Sequence, residues 1–338
     1  MKAAVIQGDR VATLIDRPDP QPKDDFVVVK VLTAPMCTEF KRFPGQGRSS
    51  AEGHEAAGEV VAVDRPAGVN VGDRVVVQPQ AWCGRCDLCL AGDYIHCTNK
   101  PDAAAVTGCE APLATMAQYT LRQAGLLTPI PDDMSIDHAS MALCGLGPAF
   151  GAIRRLALAA EDTLMIAGLG PVGLGGVIVA TGRGAKVIGV EPHPYRADLA
   201  RRLGAAAVVN PQDHDALEQI RDLTGGRGPD KALDCTAVPE AMRLCIDAVR
   251  RRGQVAFVGW GGEIKLVGPA DITVKGLAIH GSWHYNLNDA PALLEVIASA
   301  ADKIDTVITH TFALADIAEA FELQLTGNCG KVLLHPWQ

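Results

Sequence analysis

The chain has 338 residues, of which 48% are apolar and 21% are charged, and its net charge is −8. This length predicts two domains, with enough apolar residues to build a core that needs no disulfide bonds. The charges form no basic run, so we expect neither nucleic acids nor anionic membrane surfaces as partners.

The N-terminal stretch MKAAVIQGDR reaches Asp9 too soon for the apolar core of a signal peptide. We therefore expect a cytoplasmic, reducing compartment, where the ten cysteines indicate metal ligands or buried thiols rather than disulfides. Residues 164–182 are uncharged and long enough for a membrane helix. Six glycines and one proline in that segment argue against such a helix, so no membrane is expected.

The first 130 residues are predicted to be rich in β-strands. Short valine-rich runs bounded by Gly, Pro or Asp are typical of strands. They are FVVVKVL (26–32), GEVVAVD (58–64) and GDRVVVQP (72–79).

Residues 148–280 alternate between strand-like and helix-like runs. The strand-like runs are TLMIAGLG (163–170), KVIGVE (186–191), KALDCTA (231–237), QVAFVGW (254–260) and LAIHGSW (277–283). The helical patterns between them end near glycine, as in PYRADLARRLGA (194–205) and PEAMRLCIDAVRRRG (239–253). This alternation predicts an α/β domain with an open, doubly wound parallel sheet. From Ala290 onward, the pattern predicts two helices and a final strand.

A glycine-rich turn follows the first of these strands. Gly168, Gly170 and Gly173 match the pattern G-x-G-x-x-G, and the next strand ends at Glu191, 21 residues after Gly170. A strand, this turn and an apolar helix in one βαβ unit are the context of a dinucleotide site. The start of that helix, which includes Val172, offers free N–H groups to the pyrophosphate. A turn of this kind with no ligand is the alternative.

Glu191 is expected to accept hydrogen bonds from the adenosine ribose hydroxyls and to repel a 2′-phosphate, which favours NAD over NADP. Arg196 is a further cofactor-binding candidate, because a nearby arginine could accommodate that phosphate. We interpret it as a solvated residue in the first turn of the next helix.

The segment CGRCDLCLAGDYIHC contains Cys83, Cys86, Cys89 and Cys97. Gaps of two, two and seven residues between four thiolates suit a tetrahedral zinc site with no open position. An iron–sulfur cluster is the chemical rival, but Thr98, rather than a proline, follows the last cysteine. These cysteines therefore predict a structural zinc that orders a loop.

Taken together, these motifs resemble the zinc-dependent medium-chain alcohol dehydrogenase family over nearly the whole chain. The resemblance also rests on GHEAAGEVVAV (53–63), GDRVVV (72–77), LCGLGPA (143–149) and GKVLL (330–334). It implies a catalytic domain built on a chaperonin-10-like β-barrel, residues 1–147 and 282–338, and a Rossmann dinucleotide-binding domain, residues 148–281. The active site is expected in the cleft between them.

In this family the catalytic zinc takes a cysteine from a C-x-[ST]-[DE]-like segment, the histidine of G-H-E, and a later cysteine or acidic residue. His54 matches the second ligand, with Glu55 beside it, and Cys144 matches the third. Three protein ligands leave a fourth position for the substrate or water, where zinc can polarise the alcohol oxygen.

The segment APMCTEFKRF departs from the family spacing, because Thr38 follows Cys37 directly. Aligned on Thr38, the ligand position holds Met36, whose neutral thioether is a poor zinc ligand. A bulge or an altered turn would be needed to point Cys37 inward. Three outcomes remain open: Cys37 binds zinc, Glu39 or Glu55 completes the site through oxygen, or the catalytic zinc is absent or weak.

The same segment resembles the family's proton relay. Thr38 resembles the hydroxyl that takes the proton from the alcohol, and Lys41 stands where the relay commonly has a histidine. An exposed loop lysine is the alternative for Lys41. Glu39 resembles the carboxylate that hydrogen-bonds the zinc-bound histidine and fixes its orientation.

The resemblance therefore implies an NAD-dependent dehydrogenase, with NADP less favoured, that oxidises a secondary alcohol or polyol or reduces the matching ketone. A zinc-independent medium-chain reductase of activated double bonds is one alternative. A non-catalytic nucleotide-binding protein on the same fold is the other. The resemblance also suggests a homodimer or homotetramer that acts on small molecules.

Overall fold

The computed structural model describes every residue from Met1 to Gln338. The chain divides into two compact units. The first comprises Met1–Cys144 and Asn286–Gln338, and the second comprises Gly145–Tyr285. The second unit is thus an insertion within the first. The assignment of a catalytic domain to residues 1–147 and 282–338 stays a prediction.

Fifteen strands form the sheets of the two units. In chain order they are β1 (Lys2–Gly8), β2 (Val11–Asp16), β3 (Phe26–Pro35), β4 (Ala56–Ala62), β5 (Arg74–Val77), β6 (Tyr119–Gln123), β7 (Leu127–Pro129), β8 (Thr163–Ala167), β9 (Lys186–Val190), β10 (Ala207–Val209), β11 (Lys231–Asp234), β12 (Gln254–Phe257), β13 (Ala278–Gly281), β14 (Ile308–Ala313) and β15 (Lys331–His335).

Eleven α-helices accompany these strands. They are α1 (Asp87–Leu90), α2 (Ala103–Thr107), α3 (Ile136–Ser140), α4 (Gly147–Arg155), α5 (Pro171–Gly182), α6 (Pro194–Arg202), α7 (Ala216–Asp222), α8 (Pro239–Ala248), α9 (Ala290–Ser299), α10 (Ala301–Val307) and α11 (Ile317–Thr326). No helix is both long and apolar enough to cross a membrane.

The first unit is built on a seven-stranded sheet in the order β14-β15-β3-β4-β5-β7, with β6 also paired to β3. Neighbouring strands are antiparallel, except for β14 and β15. Strand β3 is buried on both faces. Val27, Val29 and Val31 belong to one core cluster, whereas Phe26 and Val28 belong to another. Because side chains alternate along a strand, burial on both faces explains the apolar run FVVVKVL, in which Lys30 is the only polar residue.

The second unit contains six parallel strands in the order β10-β9-β8-β11-β12-β13. Counted from β8 as the first strand, this order is 3-2-1-4-5-6, which is that of a doubly wound dinucleotide-binding sheet. The predicted parallel sheet is therefore confirmed. In such sheets ligands bind beyond the carboxyl ends of the strands, near the point where the strand order reverses. Here that point lies between β8 and β11.

Several short elements differ from the prediction. The tail after Ala290 contains α9, α10, β14, α11 and β15 rather than two helices and a strand. The pair β1–β2 and the elements β10 and α7 were not predicted either. Most of these are short: β10 has three residues and α7 and α10 have seven each. Too few residues repeat in such segments to show a period in the sequence.

Candidate functional site

Four potential metal ligands from three parts of the chain meet in the first unit. They are Cys37 after β3, His54 and Glu55 just before β4, and Cys144 at the end of the first segment. One ligand atom from each residue lies within 4.8 Å of the others. The structure thus brings together all four residues that the sequence predicted for a catalytic zinc.

The direction of Cys37 follows from the way in which β3 ends. Met36 donates its N–H to Val332 O, 2.9 Å away, and its side chain is fully buried in the core. The strand stops at Pro35, and a 3-10 helix, Glu39–Lys41, begins two residues after Cys37. The irregular pairings of β3 with β4 lie earlier, between Val28 and Thr33. An altered turn, rather than a bulge, therefore directs the thiol.

Glu39 orients both His54 and Cys37. Its buried carboxylate lies 2.7 Å from His54 Nδ1 through Oε1 and accepts the Cys37 N–H through Oε2 at 3.0 Å. A carboxylate at Nδ1 fixes the imidazole so that Nε2 remains the ligand atom. Nε2 lies 3.4 Å from Cys144 Sγ. Glu39 thus has the contact that the resemblance implied.

Proton affinities in the cluster are strongly perturbed. The hydrogen bond with Cys144 lowers the pKa of Cys37 well below its ordinary value, and His54 lowers it further against the effect of burial. The hydrogen bond between Cys37 and Cys144, together with burial, raises the pKa of Cys144. Burial lowers the pKa of His54, but hydrogen bonds to Cys37 and Glu39 outweigh it and raise that pKa to about 11. Cys37 therefore favours the thiolate, the form in which cysteine binds metals.

The negative charge of Glu55 is compensated by Lys331, a residue to which the sequence assigned no role. Lys331 Nζ lies 2.8 Å and 3.0 Å from the two carboxylate oxygens of Glu55, and both side chains are fully buried. Glu55 Oε2 also accepts the Cys144 N–H at 2.9 Å. Burial raises the pKa of Glu55 to about 7, although the Lys331 charge acts in the opposite direction. The motif GKVLL contained this lysine, but its depth in the fold was not visible from the sequence.

The donor atoms fit a zinc ion. A sulfur and a nitrogen on one tetrahedral zinc lie about 3.6 Å apart, given the usual bond lengths, and Cys144 Sγ and His54 Nε2 are 3.4 Å apart. Cys37 offers a second sulfur, and Glu55 Oε1 lies 3.9 Å from His54 Nε2. Three soft or borderline ligands with a carboxylate beside them suit zinc better than a hard cation.

The four cysteines of the loop form a second cluster. The ligand atoms of Cys83, Cys86, Cys89 and Cys97 lie within 4.8 Å of one another. Sulfurs on one tetrahedral zinc lie about 3.8 Å apart, and the Sγ of Cys89 is 3.4 Å from that of Cys86 and 3.9 Å from that of Cys83. The set fits a closed site with four thiolate ligands.

Thr38 and Lys41 lie in the turn that follows Cys37. Both are exposed, and the Lys41 N–H donates to Thr38 O at 3.0 Å. The backbone of this turn is therefore defined, but the proton relay stays a prediction.

In the second unit, the glycine-rich turn connects β8 to α5. Gly168 has φ +82°, a conformation that favours glycine. Gly170 caps α5, whose first turn contains Val172. A Cβ on Gly173 would lie 1.9 Å from the Gly168 carbonyl oxygen, so only glycine fits there. The free N–H groups of the α5 N-terminus could hold a pyrophosphate.

Glu191 follows β9 and is buried beside this turn. It accepts the Leu169 N–H at 2.7 Å through one oxygen and the His193 N–H at 2.9 Å through the other. Each carboxylate oxygen can accept a further hydrogen bond. Arg196 is half-buried in the first turn of α6 and its Nε has no partner, so it differs from the solvated residue that was expected.

Comparison with known proteins assigns the chain to a family. Residues 23–132 match the family described as "Alcohol dehydrogenase GroES-like domain", and residues 171–299 match "Zinc-binding dehydrogenase". Sorbitol dehydrogenase of Bacillus subtilis (strain 168) is 32% identical over 352 residues, which cover 99% of this chain and 97% of that protein. The chain belongs to the zinc-dependent medium-chain alcohol dehydrogenase family.

Two further proteins are similar to this dehydrogenase. L-threonine 3-dehydrogenase of Pyrococcus furiosus is 30% identical, with 95% of this chain and 94% of that protein covered. A crystal structure described as an NAD-dependent alcohol dehydrogenase has a TM-score of 0.83 and 25% identity, with 99% of each chain covered.

Family membership confirms several predictions. The fold class is α/β, with a GroES-like domain and a Rossmann-type domain. The class of enzyme, an NAD-dependent alcohol dehydrogenase with zinc and NAD as cofactors, is also confirmed. Which residues hold each cofactor stays a prediction.

We expect this dehydrogenase to contain two zinc ions per chain, because two clusters of donor atoms fit the metal. Cys37→Ser should reduce the content to about one zinc, since it removes one of the three thiolate and imidazole ligands. Elemental analysis of the purified protein would measure this. Cys109→Ser is the matched control, because Cys109 is a half-buried thiol in neither cluster. A wild-type content of one zinc per chain that Cys37→Ser leaves unchanged would contradict the prediction.

We also expect Lys331→Met to destabilise the dehydrogenase by about 3–5 kcal/mol, because it leaves the Glu55 charge buried without a partner. Denaturant unfolding in buffer with added zinc would measure the loss. The double variant Glu55→Gln/Lys331→Met should recover most of it, since no charge remains buried.

Lys2→Met is the matched control for this lysine, because the Lys2–Asp16 pair is exposed and should contribute nothing measurable. An equal stability of Lys331→Met and the wild type would show that the buried pair does not stabilise the first unit.

Proposed function

We propose that the protein oxidises a secondary alcohol or polyol with NAD, or reduces the matching ketone with NADH. The observation that carries this proposal is the meeting of Cys37, His54 and Cys144 in one cluster. The names of the relatives support it, because sorbitol is a polyol and the oxidised group at position 3 of L-threonine is a secondary alcohol.

We assign the catalytic zinc to Cys37, His54 and Cys144, with Glu55 as an additional oxygen ligand within reach. When bound there, zinc supplies Lewis-acid polarisation of the alcohol oxygen. Glu39 keeps Nε2 of His54 directed at the cluster. Lys331 lies against Glu55, and its positive charge lowers the pKa of that carboxyl against the larger effect of burial.

The hydroxyl proton of the substrate must leave before or during hydride transfer. We assign the first step of its removal to the Thr38 hydroxyl, which lies one residue after Cys37 in an exposed turn. Lys41, three residues further on, is the assigned acceptor at the solvent side, where its neutral amine would take the proton and become an ammonium group. A positioned proton acceptor of this kind typically contributes about 10²–10⁴-fold to the rate.

The second unit is assigned the dinucleotide, which accepts the hydride when bound. The N-terminus of α5 would hold the pyrophosphate. Gly170 leaves open space there, whereas Gly168 and Gly173 are required because a Cβ would collide with Thr236 or with the Gly168 carbonyl oxygen. The carboxylate of Glu191 would accept hydrogen bonds from the ribose hydroxyls through its free lone pairs, and its negative charge would oppose a 2′-phosphate.

The cysteine loop is assigned a structural zinc held by Cys83, Cys86, Cys89 and Cys97. A site with four thiolates has no open position, so it orders the loop and leaves the chemistry to the other cluster. We also infer a cytoplasmic location, which is supported by the fact that none of the ten cysteines forms a disulfide bond. Assembly into a homodimer or homotetramer remains part of the proposal.

A panel of secondary alcohols and polyols, assayed with NAD and with NADP, tests the proposed function. We expect NAD reduction with several members of the panel, and kcat/KM for NAD at least about a hundredfold above that for NADP, a difference of about 2.7 kcal/mol. Nucleotide binding without turnover of any alcohol would contradict the proposal.

The cofactor preference should depend on Glu191. Glu191→Gln removes the charge that opposes a 2′-phosphate, so the preference for NAD over NADP should fall by about tenfold or more, or about 1.4 kcal/mol. Steady-state kinetics with both cofactors would measure it. Glu161→Gln is the control, because Glu161 is an exposed carboxylate outside the turn. An unchanged preference in Glu191→Gln would remove Glu191 from cofactor selection.

A further inference from the structure

An open cavity of about 460 Å³ lies in the first unit beside His54. Its lining comes from the segment before β4, from the residues around α2 and from β6, and it includes Gly53, Gln80, Leu113 and Arg122. Cavities of about 300–1,000 Å³ are usual for small-molecule sites. Because His54 is a proposed zinc ligand, a molecule in this cavity would lie next to the proposed catalytic cluster.

Arg122 is the charged side chain that distinguishes this cavity. It belongs to β6 and is only 1% exposed. Its guanidinium donates to Gln80 O and to Leu113 O, both at 3.1 Å, and its Nε has no hydrogen-bond partner. A guanidinium has five N–H donors, so most of its donor capacity is not used by the protein.

No carboxylate compensates the charge of Arg122. Burial lowers the pKa of its guanidinium to about 10, which leaves it charged at neutral pH, and no carboxylate is among the groups that act on that pKa. Asp102 lines the same cavity, but its carboxylate accepts the N–H groups of Ala104 and Ala105 instead. Buried charges in proteins are normally paired, so an uncompensated cation at a cavity wall requires an explanation.

A second buried polar atom without a partner lies behind the cavity wall, next to the lining residue Gly53. Thr115 is fully buried, and its Oγ1 has no hydrogen-bond partner. A Cβ on the cavity-lining Gly53 would lie 2.6 Å from that oxygen. A guanidinium in the wall of a cavity, with a hydroxyl just behind that wall, provides the kind of donors that bind oxyanions.

We propose that this cavity receives an oxyanion carried by the substrate, a carboxylate or a phosphate on the secondary alcohol, and that Arg122 recognises it. The inference rests on the proposed dehydrogenase function and specifies its substrate class. Arg122 then acts as a specificity-determining residue: it favours an alcohol whose far end is negatively charged over a neutral one of the same shape.

Two matched pairs of alcohols test the inference. Butane-1,3-diol and 3-hydroxybutyrate share a skeleton and a secondary hydroxyl, as do sorbitol and sorbitol 6-phosphate, and only the second member of each pair is anionic. We expect kcat/KM with NAD to be at least about tenfold higher for the anionic member of at least one pair, equivalent to about 1.4 kcal/mol. The two pairs distinguish a carboxylate from a phosphate.

The variant Arg122→Met should bring that ratio to about one, whereas Arg122→Lys should keep part of it because the charge remains. Arg74→Met is the matched control. Arg74 also donates only to backbone carbonyls, those of Pro131, Asp132 and Met134, but it does not line the cavity. A merely structural arginine would change both members of a pair equally, so the ratio separates the two roles. If Arg122→Met does not fold, Arg122→Lys and Arg122→Gln provide the comparison.

The outcomes distinguish a failure of the proposed anion site from a failure of the proposed dehydrogenase function. If neutral alcohols are oxidised without an anionic preference, or if the preference survives Arg122→Met, the inference is overturned and the dehydrogenase function stands. If no alcohol is oxidised, calorimetric binding of 3-hydroxybutyrate and sorbitol 6-phosphate to the NAD-bound protein decides. Binding that is lost in Arg122→Met would support the anion site, and absence of binding would overturn it.

Discussion

Glu55 and Lys331 lie 276 residues apart in the chain, yet their charged groups meet where neither is exposed to water. An ion in such a place costs several kcal/mol unless a partner of opposite charge lies within hydrogen-bond distance. The last strand, β15, must therefore lie where its lysine reaches the segment before β4. Because Glu55 also accepts the Cys144 N–H, the same pair fixes the end of the first segment of the unit. Three distant parts of the chain are thus held together around one carboxylate.

The two cysteine clusters depend on the fold to different degrees. The ligands Cys83 to Cys97 come from a single loop, so a metal ion can organise that loop with little help from the rest of the unit. The cluster of Cys37, His54 and Cys144 requires β3, β4 and the segment after α3 to be in place first. A metal ion bound there would depend on prior folding, whereas one bound in the loop would contribute to folding. This difference agrees with a structural role for the first and a catalytic role for the second.

Much of this arrangement could be predicted from the sequence, because its signals are local. The glycine pattern follows a buried strand, and the cysteine spacing lies within fifteen residues, so neither requires knowledge of the tertiary structure. Lys331 and Arg122 could not be identified in this way. A lysine in GKVLL or an arginine in YTLRQ is normally expected at the surface, and only the packing of distant strands buries them. Short elements such as β10 and α10 were missed because their few residues carry no measurable period.

Cys37 reaches the cluster from a turn rather than from a strand. In a strand, the removal of one residue would reverse the direction of every side chain that follows. A turn can absorb the change by adopting different backbone angles, as the chain does between Pro35 and Glu39. A search pattern with a fixed gap between the cysteine and the threonine would therefore reject this chain, although the thiol lies beside the other ligands. Ligand assignment in related sequences should consequently allow the cysteine to shift by one position at this turn.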